Sequence, residues 1–384
     1  MAEKIILKGI TWNHSRGLVP MVATAQRFSE LNLNVEIIWE KRSLQQFADM
    51  SIEQLAERYD LLVIDHPWAG FAARTKTILP LDEYLPADFL DDQKQNTVGH
   101  SFESYSYNGH QWALAIDAAT PVASSRPDLF QKNSLKLPET FDDLLNIASK
   151  GFVAFAGIPI DVLMSFYMFC CSLGEDPCQR EDEVVSEATG KEVLKMFRQL
   201  AQKMAPAFFN RNPIQVYEAM TVTDEILYCP FAYGYSNYAR RGYASSLLHF
   251  HDLITLDGKS NCRSTLGGTG LAVSSKCNQV EVAMQYAAYV ASGECQRTVF
   301  FSNGGQPGHL QAWKDEEANR QTANYFSATL PALQRAFLRP RYHGHMYFQD
   351  HAGDPVRDYL MNGGDESALL QQLNELYVKS RTIE

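Results

Sequence analysis

Short apolar runs alternate with stretches of helical periodicity at the start of the chain. Residues 5–10 are mostly apolar and of strand length, and they end in Thr11-Trp12-Asn13-His14-Ser15-Arg16-Gly17. Pro20 suits the first turn of a helix, which Val22, Ala25, Phe28 and Leu31 continue at helical spacing. Asn32 to Asn34 interrupt that pattern, and residues 35–39 read as a second strand. Glu40-Lys41-Arg42-Ser43 follows, then an amphipathic stretch through Phe47 and Leu55. Residues 61–64, Leu-Leu-Val-Ile, form a continuous apolar run of the kind buried on both faces of a parallel sheet. The run stops at Asp65-His66-Pro67-Trp68, where Pro67 cannot donate to a sheet ladder and holds His66 extended. This β-α-β-α-β order predicts a parallel sheet with right-handed crossovers. Ligands of such sheets sit just outside the carboxyl ends of the strands.

Further along, residues 80–85 predict a short helix, Tyr107-Asn108-Gly109-His110 a tight turn, and residues 112–117 a strand. Residues 121–125 and then Arg126-Pro127-Asp128-Leu129-Phe130 carry the chain into a second domain. Thr140 is placed to cap a helix whose first turn holds Asp142 and Asp143. Helices are expected over 160–173, where the sequence is apolar, and over 191–205. A strand is expected over 225–230, then an aromatic loop over 231–243 with a following helix. Residues 265–273 return to a strand, 279–291 form an amphipathic helix, 300–307 a loop, and the chain ends on a helix over 369–377.

Bulk properties narrow the function. A chain of 384 residues most naturally holds two domains. Its 45% hydrophobic and 21% charged residues are those of a globular protein. A net charge of −11 argues against a nucleic-acid partner, which wants a basic face. No apolar run approaches the roughly 18 residues of a membrane span, so no membrane insertion is expected. The first residues lack the apolar core of a signal peptide. Either an exported leader has been removed from this sequence, or the chain works in the cytoplasm. Seven scattered cysteines, an odd number with no Cys-x-x-Cys pair, favour a reducing cytosol.

Several segments carry a resemblance in their order and spacing. They are residues 59–70, Leu79-Pro80-Leu81-Asp82, Tyr107-Asn108-Gly109 with Ala115-Ile116-Asp117, and Arg126-Pro127-Asp128-Leu129-Phe130. Pro138-Glu139-Thr140-Phe141, Leu266-Gly267-Gly268-Thr269-Gly270 and Ser302-Asn303-Gly304-Gly305-Gln306-Pro307 complete the set. Together they resemble the extracellular solute-binding proteins of ABC transporters, the sugar-binding family 1 with the type 2 periplasmic-binding-protein fold. The resemblance implies an α/β fold of two lobes joined by hinge strands, an interlobe cleft for a small-molecule ligand, and hinge closure. It also implies an ABC permease as partner. The lobes are expected at 1–116 plus 264–310 and at 117–263 plus 311–384.

On that frame three early strand ends deliver His14, Arg16, Lys41, Arg42 and His66, a cationic set on an acidic chain. Such a set favours a carboxylate or phosphate, for which arginine offers a bidentate fork; the alternative is a group of exposed loop charges. Trp12 and Trp68 follow strands and offer stacking faces for a sugar ring, whereas Trp39 and Trp112 read as core. From the second lobe, Tyr233 and Tyr235 either face the ligand or pack beneath their loop. Gly268 and Thr269 lie in a glycine-rich segment without the lysine of a phosphate loop, and its glycines permit close backbone approach to a ligand. Asn303 and Gln306 are candidates from the neighbouring loop, and Asp117 either binds a hydroxyl or caps a turn. The sequence therefore points to a protein that binds a sugar-like or sugar-acid solute. The alternative is a cytosolic enzyme of the same fold, a lyase or isomerase using His14, Asp65 and His66 for acid/base chemistry. His249-x-His251 and His343-x-His345 have the spacing of one strand face, but nothing completes a metal site, and neither metal nor cofactor is expected. The adjacent Cys170 and Cys171 read as buried small hydrophobes.

Overall fold

Leu61, Leu62, Val63 and Ile64 have almost no solvent contact, and the strand they form is the middle of a five-stranded sheet. The computed structural model describes residues 4–43, 51–256 and 258–383. Among these residues the strands run in chain order as β1 (Ile5–Trp12), β2 (Val35–Arg42), β3 (Leu61–Ile64), β4 (Ser106–Tyr107), β5 (His110–Gln111), β6 (Leu114–Ala119), β7 (Pro121–Ser125), β8 (Tyr228–Tyr233), β9 (His249–His251) and β10 (Gly267–Val273). The chain divides into two units. Unit 1 comprises Met1–Ala119, Gly267–Ala318 and Arg341–His343; unit 2 comprises Thr120–Leu266, Asn319–Pro340 and Gly344–Glu384.

The sheet of unit 1 has the order β2-β1-β3-β10-β6. β1 pairs in parallel with β2 and β3, as the alternation of strand and helix predicts. β10 is antiparallel to both β3 and β6, so the sheet is mixed. The physical reason is that β10 follows the long excursion through residues 120–266 and not a crossover helix, which alone imposes parallel pairing. Apolar side chains cover both faces of the sheet. Leu7, Leu61, Val63, Ile116 and Leu271 lie in one core with the helices Ser15–Leu31 and Val280–Ala291. Ile10, Leu62, Ile64 and Ala272 lie in a second core with Tyr105 and Trp112. Burial on both faces is why β3 lacks alternation.

Some element boundaries differ from the expected ones. The first helix begins at Ser15, so Pro20 lies inside it rather than in its first turn. His14 makes this possible, because its Nδ1 accepts from the Arg16 N–H at 3.0 Å and caps the helix. In the amphipathic stretch, Phe47 and its neighbours over 44–50 lie outside the described residues, while Ile52–Ala56 is helical with Ser51 as its cap. The turn at Asn108 and Gly109 has φ of 50° and 82° and joins β4 to β5, the left-handed pair that a two-residue hairpin needs.

Unit 2 carries the antiparallel sheet β8-β7-β9. β8 runs three residues past the expected end because its ladder with β7 continues to Pro121 opposite Tyr233. A single 3₁₀ turn, Ser236–Ala239, follows in place of the expected helix. The helix Pro159–Ser172 is buried along almost its whole length, and the helices Glu187–Ala201, His345–Asn362 and Glu366–Arg381 are further elements of the unit. The helix Phe141–Ala148 starts as expected, with Thr140 and Asp143 exchanging capping bonds.

Candidate functional site

In unit 1 the strand register sets the polar groups. Trp12 pairs with Arg42 at the carboxyl ends of β1 and β2, and the Asn13 N–H donates to the Arg42 carbonyl at 2.7 Å. One turn on, Arg16 is 4% exposed and points at Asp117 of β6, which is 1% exposed. Its Nε donates to Asp117 Oδ2 at 2.8 Å and its Nη2 to Oδ1 at 2.5 Å. Asp117 thus neither caps a turn nor stands open to a hydroxyl; it holds the fork of a buried arginine. Burial lifts the Asp117 carboxyl above its usual range, and the Arg16 charge pulls it back.

Opposite Asp117 in the ladder stands Thr269. Its hydroxyl is buried and has no hydrogen-bond partner among the described residues. The neighbouring Gly268 has φ +104°, and a Cβ there would come within 2.3 Å of the Asp117 carbonyl, so only glycine fits. Gln306 is fully buried and donates to the Ala118 carbonyl at 2.8 Å. Asn303 does not lie in an open loop. Residues 296–300 are a π-helical turn, and the Asn303 amide donates back to the Val299 carbonyl at 2.8 Å.

The remaining unit 1 candidates are largely enclosed. Trp12 belongs to the core, and its indole leaves no room for a Cβ on Gly17. Arg42 is buried, donates to the Val63 carbonyl at 3.3 Å and has its pKa drawn down by burial to about 10. His66 is 1% exposed, with Nδ1 3.2 Å from Asp65 Oδ1 and its ring edge-on to Tyr105. Trp68 is half-buried and packs edge-on against Phe71 at 5.3 Å. His14 keeps a neutral ring, since its Nδ1 accepts the capping bond. Burial, then the Arg16 charge, lowers its pKa to about 4.

In unit 2 the Tyr233 hydroxyl lies 3.3 Å from Thr265 Oγ1. The Tyr235 ring is 6.4 Å from that of Tyr217. Tyr217 donates its hydroxyl to the carbonyls of Ala232 and Tyr233, both at 3.1 Å. Tyr217 also feels the charge of Asp161, a residue that pattern reading passed over because it reads this segment simply as an apolar helix. The signal was present: one carboxylate in the apolar helix Pro159–Ser172.

The two histidine pairs part company. His249 and His251 lie on one face of β9, where His251 Nε2 is 2.7 Å from Ser125 Oγ. His343 lies in a turn of unit 1 and His345 starts a helix of unit 2, so they do not share a strand face. Among the described residues no group of three His, Cys, Asp or Glu is arranged to hold a metal ion.

The family model for bacterial extracellular solute-binding proteins matches residues 23–308, and the chain belongs to that family. Its α/β fold of two units is that of a ribitol-bound ABC-transporter solute-binding protein from Agrobacterium radiobacter K84. That likeness has a TM-score of 0.83 at 17% identity and covers 98% of this chain and 99% of that one. Maltose-bound MalE3 of T. maritima gives 0.83 at 16% identity over 97% and 99% of the two chains. A solute-binding protein of Thermotoga lettingae TMO with α-D-tagatose gives 0.82 at 16%, over 98% and 100%. A curated relative, the maltotriose-binding protein of Pyrococcus abyssi (strain GE5 / Orsay), is 26% identical over 126 residues, which span 33% of this chain and 26% of the relative.

Proposed function

We propose that this protein captures a small sugar-like, hydroxyl-rich solute and presents it to an ABC permease. The observation that carries the reading is the family match over residues 23–308. Structures of the same fold that hold ribitol, maltose and tagatose support the chemical class of the solute. The candidate contacts in unit 1 are His66, Trp68 and Thr269 with the backbone at Gly268; in unit 2 they are Tyr233 and Tyr235. Within unit 1, Arg16 and Asp117 tie the helix Ser15–Leu31 to β6 and serve as positioning residues. The expected work place is outside the cytoplasm, in keeping with the extracellular family. The seven free cysteines are compatible with it, since six are buried and the seventh, Cys178, is only partly accessible.

Isothermal titration of the full chain with maltotriose, maltose, ribitol, D-tagatose and D-mannitol tests the reading. Saturable binding of at least one, with a raised unfolding midpoint, is the expected result. No heat and no shift with any of them overturns the sugar class. Of the acid/base candidates, His14 is committed elsewhere: its Nδ1 caps a helix, and its pKa of about 4 removes it from proton transfer near neutrality.

A further inference from the structure

Asp161 is 8% exposed, in the first turn of the 14-residue helix Pro159–Ser172. Its carboxyl has no hydrogen bond or ion pair among the described residues. A buried carboxylate without a partner is costly, and native proteins normally supply one. The titratable groups that feel its charge are the Cys229 thiol of β8 and the Tyr217 phenol of the helix Pro213–Val222. Neither is a cation, and Tyr217 has its hydroxyl bound to two main-chain carbonyls. With nothing to offset burial, the carboxyl is pushed up to about 7. The Tyr217 ring is 6.4 Å from that of Tyr235, so the phenol that feels the Asp161 charge packs on the aromatic loop that presents the unit 2 candidates.

We infer that Asp161 is a ligand-binding residue of unit 2 whose missing partner is a hydroxyl pair of the solute, and that the solute is therefore an uncharged sugar or polyol and not a sugar acid. A carboxylate accepts two hydroxyl protons at once, while a second anion beside it meets like charge in a poorly solvated place. Among the described residues no arginine is paired with Asp161 to offset that repulsion. The inference rests on the sugar-binding reading and adds to it the charge of the solute and the residue that selects it.

The test is titration of wild type and Asp161→Asn with matched neutral and acid pairs: ribitol with D-ribonate, and maltose with maltobionate. The neutral member is expected to bind wild type at least about tenfold more tightly than the acid, and Asp161→Asn to weaken it by about tenfold or more, the size of a lost charged hydrogen bond. Folding is checked by the unfolding midpoint, which Asp161→Asn should raise by about 4 °C or more at pH 8 and leave unchanged at pH 4. Preference for the acid, or equal affinity of variant and wild type for a bound sugar, overturns the inference and leaves the sugar reading standing. An unchanged midpoint at pH 8 overturns it as well, since the carboxyl would then have a partner already. Binding of neither pair by wild type removes the sugar reading and this inference together.

Discussion

Arg16 and Asp117, 101 positions apart in the chain, meet in a two-point ion pair that links the first helix of unit 1 to strand β6. Both side chains are at most 4% exposed. Removing either partner leaves the other charge buried and alone, so Arg16→Ala or Asp117→Ala should destabilise unit 1 by about 3–5 kcal/mol. Arg16→Lys should recover little, because an ammonium cannot reproduce the planar fork. Urea unfolding of the two single variants and the double variant measures the coupling. A double variant no less stable than either single one is the expected signature.

Stability should respond to pH in two opposing ways. His14 and His251 are each lowered to about 4, chiefly by burial and next by Arg16 and His249 respectively. Their unfolded rings bind protons that the folded ones refuse, so the stability they contribute is present above about pH 6.5 and is lost as pH falls toward 4. Asp161 has the reverse sign. Its folded pKa of about 7 lies above the unfolded carboxylate value, so its contribution is present at low pH and lost as pH rises through 7. The ceiling on that loss is about 4 kcal/mol. Unfolding free energy from pH 4 to 8 should therefore be flatter in wild type than in Asp161→Asn, whose curve should climb with pH.

Gly268→Ala should fold less stably by about 1–3 kcal/mol, the usual cost of a non-glycine residue held in strained backbone. The added methyl meets the Asp117 carbonyl as well as an unfavourable φ. Since Gly268 adjoins Thr269, the same variant should weaken solute binding, as titration calorimetry would show. An alanine as stable as wild type would mean that β10 relaxes there.

Thr140→Ala is the matching control. It removes the capping box of the helix Phe141–Ala148 and should lower stability by about 1 kcal/mol. Solute affinity, measured in the same titration, should not change.

What pattern alone reveals here is the part governed by neighbours in sequence. The apolar run at Leu61, the turn at Asn108-Gly109 and the helix cap at Thr140 each follow from a few adjacent residues, and each is where the pattern places it. The partner of Arg16 lies far along the chain, and no local rule connects the two. The cationic set at the strand ends therefore reads as an anion site, when its central arginine is already held by a carboxylate. Pro20 misleads for a related reason: His14 is an unusual cap, so the proline looks like a helix start. Asn303 reads as loop because a π turn has no simple period. Asp161 hides in a segment that reads simply as an apolar helix, and only its burial marks it out.

The thiols have a consequence of their own. Burial first of all pushes Cys178, Cys262, Cys277 and Cys295 up to about 12, and holds Cys170, Cys171 and Cys229 above their usual range too. Sulfur reacts as its anion, so the folded chain is chemically quiet even in oxidising surroundings. Its lifetime there is then set by how often it opens, and the rate at which a maleimide consumes sulfhydryls becomes a direct clock for that opening.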